Sequence, residues 1–280
     1  MKKHFLLFAI ALVSMIAQAQ VLEVVSMQQV APQGADKGKI VGISPKGDYL
    51  VLTDIEELGL TRYDLNTKAL TTICKAEGAG WDVKISKDGN TITYRQRNFE
   101  GDSRIVKFDI MTYNITAGKI ALQSKAQRGN EKLVDVTANT TVSISEDLEL
   151  VLTRNGKRIV LNPNGNENPY NWASISPDGS KILYYVSNMG CYVCDINGTN
   201  VQFIARHCRA PQWYNNNTIV GMEDEDDGHD FTASALVAYT LDGKSQTLVA
   251  KDKLAMYPYA AEGKIAFTTS KGEMYLLTVK

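Results

Sequence analysis

The sequence predicts an all-β chain folded as a six-bladed β-propeller with four-stranded blades, its ring closed by the N-terminal strand. Three observations carry this. A phrase made of a short apolar run, a polar tight turn and a second strand-forming run recurs six times between residues 40 and 264. Asn-Gly or Asp-Gly pairs, whose positive φ suits the tight turn of a hairpin, follow at a fixed place in several copies. The C-terminal end is one strand short of a blade, and the N-terminal end holds one to spare.

In chain order, Lys2 and Lys3, the apolar run 5–17 and the small-residue end Ala17-Gln18-Ala19 read as a secretory signal cleaved before Gln20. Residues 1–19 are thus the expected signal peptide and residues 20–280 a single propeller domain. The run is short for a bilayer span, and no cysteine follows the cleavage site to take a lipid. A soluble mature protein with no integral membrane segment, periplasmic or secreted, is expected. Residues 21–30 are strand-like and lack a partner in the first repeat.

The phrase is clearest at Ile43-Ser44-Pro45-Lys46-Gly47, Ile85-Ser86-Lys87-Asp88-Gly89 and Ile175-Ser176-Pro177-Asp178-Gly179. It is fainter at Val136-Thr137-Ala138-Asn139, Trp213-Tyr214-Asn215-Asn216 and Ala260-Ala261-Glu262-Gly263. The mean spacing of about 43 residues is that of a four-stranded propeller blade. Asn155-Gly156, Asn197-Gly198 and Asp242-Gly243 are read as joining third to fourth strands in repeats three, four and five. After the sixth anchor only Lys264–Thr269 and Met274–Val279 remain, so the strand at 21–30 completes the last blade and leaves only short, protected edges.

Ser176-Pro177-Asp178-Gly179-Ser180-Lys181-Ile182-Leu183-Tyr184, followed by Cys191-Tyr192-Val193-Cys194-Asp195-Ile196-Asn197-Gly198, resembles the TolB-type, or PD40, WD40-like propeller repeat over essentially the whole mature chain. The resemblance implies a six-bladed, usually periplasmic propeller that binds proteins or peptides; some relatives gate hydrolases. The chain lacks the separate N-terminal domain of TolB and an α/β-hydrolase module, so neither specific role is carried over.

Removing residues 1–19 leaves 28 basic against 31 acidic residues, a balance that argues against a nucleic-acid partner. Cys74, Cys191, Cys194 and Cys208 in an exported chain raise the question of disulfides. Cys191 and Cys194, an odd number apart on a strand, point to opposite faces and make a poor zinc pair; Cys191 and Cys208 are read on one hairpin, out of register for a bond.

Loops before the innermost strands and between second and third strands share one face, where binding is expected. There, Arg95, Arg97 and Arg104 make blade two positive, and the run Glu223 to Asp227 with His229 makes blade five negative. Blades two and five oppose each other in a six-fold ring, so the pair can steer a dipolar peptide. Asp224, Asp226 and Asp227 are the candidate metal ligands, with Ca²⁺ the cation their type suits, although Ser234 stands where a calcium loop needs a bidentate Glu; a solvated acidic loop is the alternative. Trp81, Trp172 and Trp213 are placed near the starts of inner strands, to grip a ligand or fill the wedge between blades. Lys84, Asp135, Ser174, Gln212 and Tyr259, one step before their anchors, are the expected channel lining, and the apolar residues one step earlier pack between blades.

No nucleophile elbow, zinc-protease motif or phosphate loop occurs, and the mature chain has only His207 and His229. No catalytic residue is assigned and no cofactor is firmly implied. The leading expectation is a noncatalytic scaffold that binds a protein or peptide on its loop face. The alternatives are a calcium-dependent lactonase or esterase using Asp82, Asp135, Asn171 and Gln212, and glycan binding by the aromatic rim.

Overall fold

Backbone pairing turns each repeat into a radial sheet, seen in a computed structural model that describes residues 21–32, 37–101, 105–128 and 133–280. Blade one is β2 (Lys39–Ile43), β3 (Tyr49–Thr53), β4 (Leu60–Asp64) and β5 (Leu70–Cys74). Blade two is β6 (Val83–Ile85), β7 (Thr91–Asn98), β8 (Lys107–Asn114) and β9 (Lys119–Arg128). Blade three is β10 (Thr140–Ile144), β11 (Leu150–Arg154) and β12 (Lys157–Val160). Blade four is β13 (Tyr170–Ile175), β14 (Lys181–Val186), β15 (Gly190–Asp195) and β16 (Gln202–Ala205). Blade five is β17 (Arg209–Trp213), β18 (Thr218–Asp226), β19 (Phe231–Thr240) and β20 (Ser245–Val249). Blade six is β21 (Ala255–Ala261), β22 (Lys264–Thr269) and β23 (Met274–Val279), completed by β1 (Val24–Val30).

The recurring phrase is a hydrogen-bonded clamp. Ser44, Ser86 and Ser176 each donate a hydroxyl to the nearby Asp48, Asp88 or Asp178, over 2.5, 2.5 and 2.6 Å. The same oxygens accept the backbone N–H of Tyr49, Thr91 and Lys181, which tie off the next strand. Each turn closes with the N–H of Gly47, Gly89 or Gly179 on the Ser carbonyl, and these glycines hold φ of 63°, 75° and 80°. Glycine reaches that region without a Cβ clash.

Blade three corrects the sequence reading twice. Its turn is Ile144-Ser145-Glu146-Asp147-Leu148, with Leu148 N–H on the Ser145 carbonyl at 3.0 Å and Leu148 at φ 59°, the place glycine holds elsewhere. Residues 136–139 lie ahead of β10, and Asp135 lies there too. Asn155-Gly156 therefore joins second to third strands, and among the described residues blade three has three strands. After β12 the chain reads Leu161-Asn162-Pro163-Asn164-Gly165-Asn166-Glu167-Asn168-Pro169, poor in strand formers and carrying two residues that cannot donate to a ladder. It folds instead onto its neighbours: Asn162 Oδ1 accepts Leu150 N–H, and the hydroxyls of Tyr170 and Tyr184 bond within residues 164–165.

Closure follows the expectation. β1 pairs antiparallel with β23 from Val24↔Val279 to Val30↔Met274, and Glu23 and Lys280 exchange backbone bonds of 2.9 Å. The Gln246 side chain brackets the entry, accepting from Val21 and Leu22 N–H and donating to the Leu22 carbonyl. Apolar clusters fill the wedges between blades; one holds Cys191 and Cys208 between blades four and five, another holds Cys194 between blades three and four. The two cysteines of β15 thus face opposite ways, as strand parity requires, and burial pushes the Cys194 thiol up to about 12. Cys208 itself follows β16 and leads into β17, so it shares no hairpin with Cys191. No helix among the described residues is long and apolar enough to cross a membrane. The expected signal peptide lies outside the described residues.

Candidate binding face at the channel mouth

Inner strands begin at the face that also carries the second-to-third-strand connections. Five residues before the turn, blades one, four and five each present a polar side chain that reaches the second strand or the connection beyond it. Lys39 Nζ meets Glu57 Oε1 at 2.9 Å, Asn171 Nδ2 meets Ser187 Oγ at 2.8 Å, and Arg209 Nη1 meets Asp224 Oδ2 at 2.5 Å. One residue later, in blades four, five and six, Trp172, Ala210 and Tyr257 take φ of 46°, 46° and 48°. The ladder slips there in each blade, a β-bulge that re-aims the strand at the rim.

Blade two carries the aromatic cluster. Trp81 and Phe108 rings lie 5.6 Å apart, and the Arg95 guanidinium sits 5.1 Å and 5.8 Å from their centroids. Arg95 is buried, a cation held on ring faces and not a charge on a loop. Arg97 pairs with Glu77 and lies 5.2 Å from the Phe99 ring. Arg104 lies outside the described residues.

The acidic run is a strand, not a loop. β18 extends through Asp226, so successive carboxylates alternate faces and find different partners. Glu223 accepts the Tyr239 hydroxyl, Asp224 pairs with Arg209, and Glu225 pairs with Lys251. Only residues 227–230 turn: Asp227 Oδ1 accepts the N–H groups of His229 and Asp230, which hold its carboxyl below the usual range. Asp226 accepts Gly228 N–H. Asp224, Asp226 and Asp227 are thereby dispersed, and among the described residues no group of three or more His, Cys, Asp or Glu converges.

Of the expected channel lining, Lys84, Ser174, Gln212 and Tyr259 are half-buried on inner strands, and Val41, Val83, Pro211 and Pro258 beside them are buried. Lys84 pairs with Asp82 at 3.3 Å, and Asp82 Oδ2 accepts Leu133 N–H at 2.6 Å. Burial, with Asp82 near by, raises the Tyr259 phenol. Asp135 caps its own turn by accepting from Thr137 and is not on an inner strand. Trp213 ends β17, at the opposite edge from the mouth, and its buried indole donates to the Ser174 carbonyl of blade four at 3.4 Å. It fills the wedge between those blades. Trp172 is half-buried with its ring edge on Tyr185, and Trp81 is 46% exposed.

The structure adds a platform that charge and tryptophan alone do not reveal. Ile55 and Leu58 in the second-to-third-strand connection of blade one and Phe99 in that of blade two are exposed, at 54%, 42% and 71%, on the same face as Trp81. Three backbone bonds tie their segments together: Gly59 N–H to the Ala76 carbonyl, Gly80 N–H to Glu57, and Arg97 N–H to Glu77. Gly80 permits this approach, because a Cβ there would lie 2.4 Å from Thr53 Oγ1. Leu58 also borders a cavity of about 460 Å³ between blades six and one, lined by Pro32, Leu52, Leu70, Met274 and Lys37. The sequence signal was Ile55 and Leu58 themselves, apolar residues among acids and outside any strand period.

Three of the four donors considered for a channel metal are engaged or placed elsewhere. Asp82 is taken by a lysine and a backbone N–H, Asn171 directs its amide at Ser187, and Asp135 is off the inner strand. A cation there would meet Lys84.

No protein family matches this chain by sequence, and no curated protein does. Solved structures do match it in shape. An oligogalacturonate lyase in complex with manganese aligns with TM-score 0.56 and 15% identity over 85% of this chain and 76% of that one. TolB from Acinetobacter baumannii aligns with TM-score 0.55 and 14% identity over 87% and 55%. A putative TolB from Agrobacterium tumefaciens aligns with TM-score 0.55 and 17% identity over 88% and 91%. Identities this low speak for fold and not for activity. The chain has a TolB-like six-bladed β-propeller fold.

Proposed function

We propose that this is a noncatalytic exported scaffold that binds a protein or peptide segment on its loop face, centred on blades one and two. The apolar platform of Ile55, Leu58, Trp81 and Phe99 carries the reading. Large exposed apolar groups held on a rigid backbone frame lose little freedom on binding and give up water when covered. Arg97, paired with Glu77 at the edge, supplies a polar rim, and the cavity beside Leu58 has room for an anchoring side chain. The propeller fold shared with TolB structures supports a binding role. Residues 1–19 act as the leader and residues 20–280 as one domain, placing the protein in the periplasm or outside the cell. Arg95 acts from beneath by stiffening Trp81, and the charged pairs of blades two and five are locally neutralised, which leaves apolar contact as the main source of affinity.

The test uses tagged mature protein to isolate its partner from exported proteins of the source organism. Trp81→Ala with Phe99→Ala is expected to weaken the purified complex at least tenfold, with an unchanged circular dichroism spectrum. Phe203→Ala, which removes an equally exposed ring from the outer strand of blade four, leaves affinity unaltered. Equal affinity for the platform variant and the parent would overturn the assignment.

A further inference from the structure

Two of the four thiols meet across a blade boundary. Cys191 lies on β15 of blade four and Cys208 just ahead of β17 of blade five, both fully buried among Leu183, Val193, Trp213 and Ile219. Cys208 Sγ fits only because residue 221 is glycine: a Cβ there would lie 2.3 Å from the sulfur. Both cysteines are free thiols in this structure, and the neighbouring Cys191 thiol, together with burial, pushes the Cys208 thiol well up. Neither remaining cysteine competes. Cys194 points into the wedge between blades three and four, and Cys74 ends β5 of blade one.

We propose that Cys191 and Cys208 form a disulfide that staples blade four to blade five in the mature protein. The proposal rests on the export reading, since an oxidising compartment supplies the oxidant. The reaction is exchange with a donor disulfide, of a protein oxidant or of oxidised glutathione. One cysteine thiolate attacks the donor to give a mixed disulfide, and the second displaces the donor sulfur. Two electrons pass to the donor, which leaves as two thiols carrying the two protons. Because both sulfurs are buried in the folded ring, the exchange precedes the docking of blade five on blade four, and the finished bond is shielded from reductant.

The test maps thiols in the full mature chain, alkylated under denaturing conditions without reduction. Protein recovered from the periplasm is expected to show Cys191 and Cys208 peptides linked, with Cys74 and Cys194 alkylated. Protein made in the cytoplasm without its leader is expected to show four alkylated cysteines, and to acquire the same link when refolded from the reduced chain in a glutathione redox buffer. The linked form should melt roughly 5–10 °C higher than the reduced form, from the loop the bond closes. Cys191→Ala and Cys208→Ala each abolish that difference. Four alkylated cysteines after refolding in the redox buffer would overturn the pairing wherever the protein resides. A link that forms in the buffer, in a chain that fractionates with the cytoplasm, would instead retain the pairing and refute export.

Discussion

Removing the Leu22 side chain tests whether the N-terminal segment holds the ring shut. Leu22, just ahead of β1, is 5% exposed in the core between blades five and six, and Val30, at the far end of β1, is 6% exposed in the core between blades six and one. Met27, between them, is 48% exposed. Leu22→Ala deletes three buried carbons where the Gln246 amide holds the backbone in place, so the site cannot collapse to fill the void. The expected cost is about 2–4 kcal/mol. For a chain of this size each kcal/mol lowers the melting temperature by about 2–4 °C, so the shift is roughly 5–15 °C. Met27→Ala removes a similar apolar side chain from the same N-terminal segment but mostly from water, for about 0.5 kcal/mol. Val30→Ala adds to Leu22→Ala almost independently, because the two sit in different cores. Thermal melts of the mature proteins by circular dichroism decide the matter. If Leu22→Ala and Met27→Ala melt together, β1 is not what closes the ring.

Three further outcomes follow from particular groups. Leu148→Gly relieves a non-glycine residue at φ 59°, a conformation costing about 1–2 kcal/mol, against about 0.5–1 kcal/mol of added chain entropy, so it should raise the melting temperature slightly; a lower value refutes the turn assignment in blade three. The Ser176 hydroxyl, the Ser180 N–H and the Ser180 hydroxyl hold the Asp178 carboxyl down at about 2, below its ordinary 3.8. Its stabilisation is present above pH 4 and disappears as pH falls through 2, so the melting-temperature gap between parent and Asp178→Asn should narrow over that window; a constant gap contradicts the clamp. Arg209→Met should strand the buried Asp224 carboxylate and destabilise the fold by about 3 kcal/mol or more, with Arg209→Met/Asp224→Leu regaining most of the loss in urea denaturation; no recovery in the double variant refutes the pairing.

What was legible in the sequence is what a single residue type must supply locally. The Ser hydroxyl, the Asp carboxylate and the positive-φ Gly of the turn act within a few residues of each other, so three copies stand out and set the blade period. Blade three escaped because Leu148 does what the pattern reserves for glycine, and the nearest polar cluster, residues 136–139, stood in for it. The acidic run looked like a loop because its neutralisers are remote in sequence: Arg209 lies 15 residues from Asp224, and Lys251 lies 26 from Glu225. Arg95 looked exposed for the same reason, since Trp81 and Phe108 approach it only once β7 and β8 pair. Local chemistry wrote the scaffold into the sequence, and tertiary neighbours decided which charges and rings stay at the surface.

The two faces of the ring obey different rules, and the difference bears on where the proposed ligand site would sit. On the turn face, each Ser–Asp–Gly clamp joins strands one and two by bonds that tolerate few side chains, so any change there is read as lost stability. At the mouth, the inner strand of blades four to six is released from its ladder by a bulge, and non-glycine residues occupy the left-handed region. Pro211 and Pro258 follow two of those bulged residues and remove backbone donors that the slipped ladder would leave unpaired. The strand can therefore begin with almost any side chain: a lysine in blade one, an asparagine in blade four, an arginine in blade five. Strain of this kind persists only where the surrounding structure over-determines it, and here inter-blade packing does so. Variation at the mouth is cheap in folding terms, and recognition can evolve there without disturbing the ring beneath it.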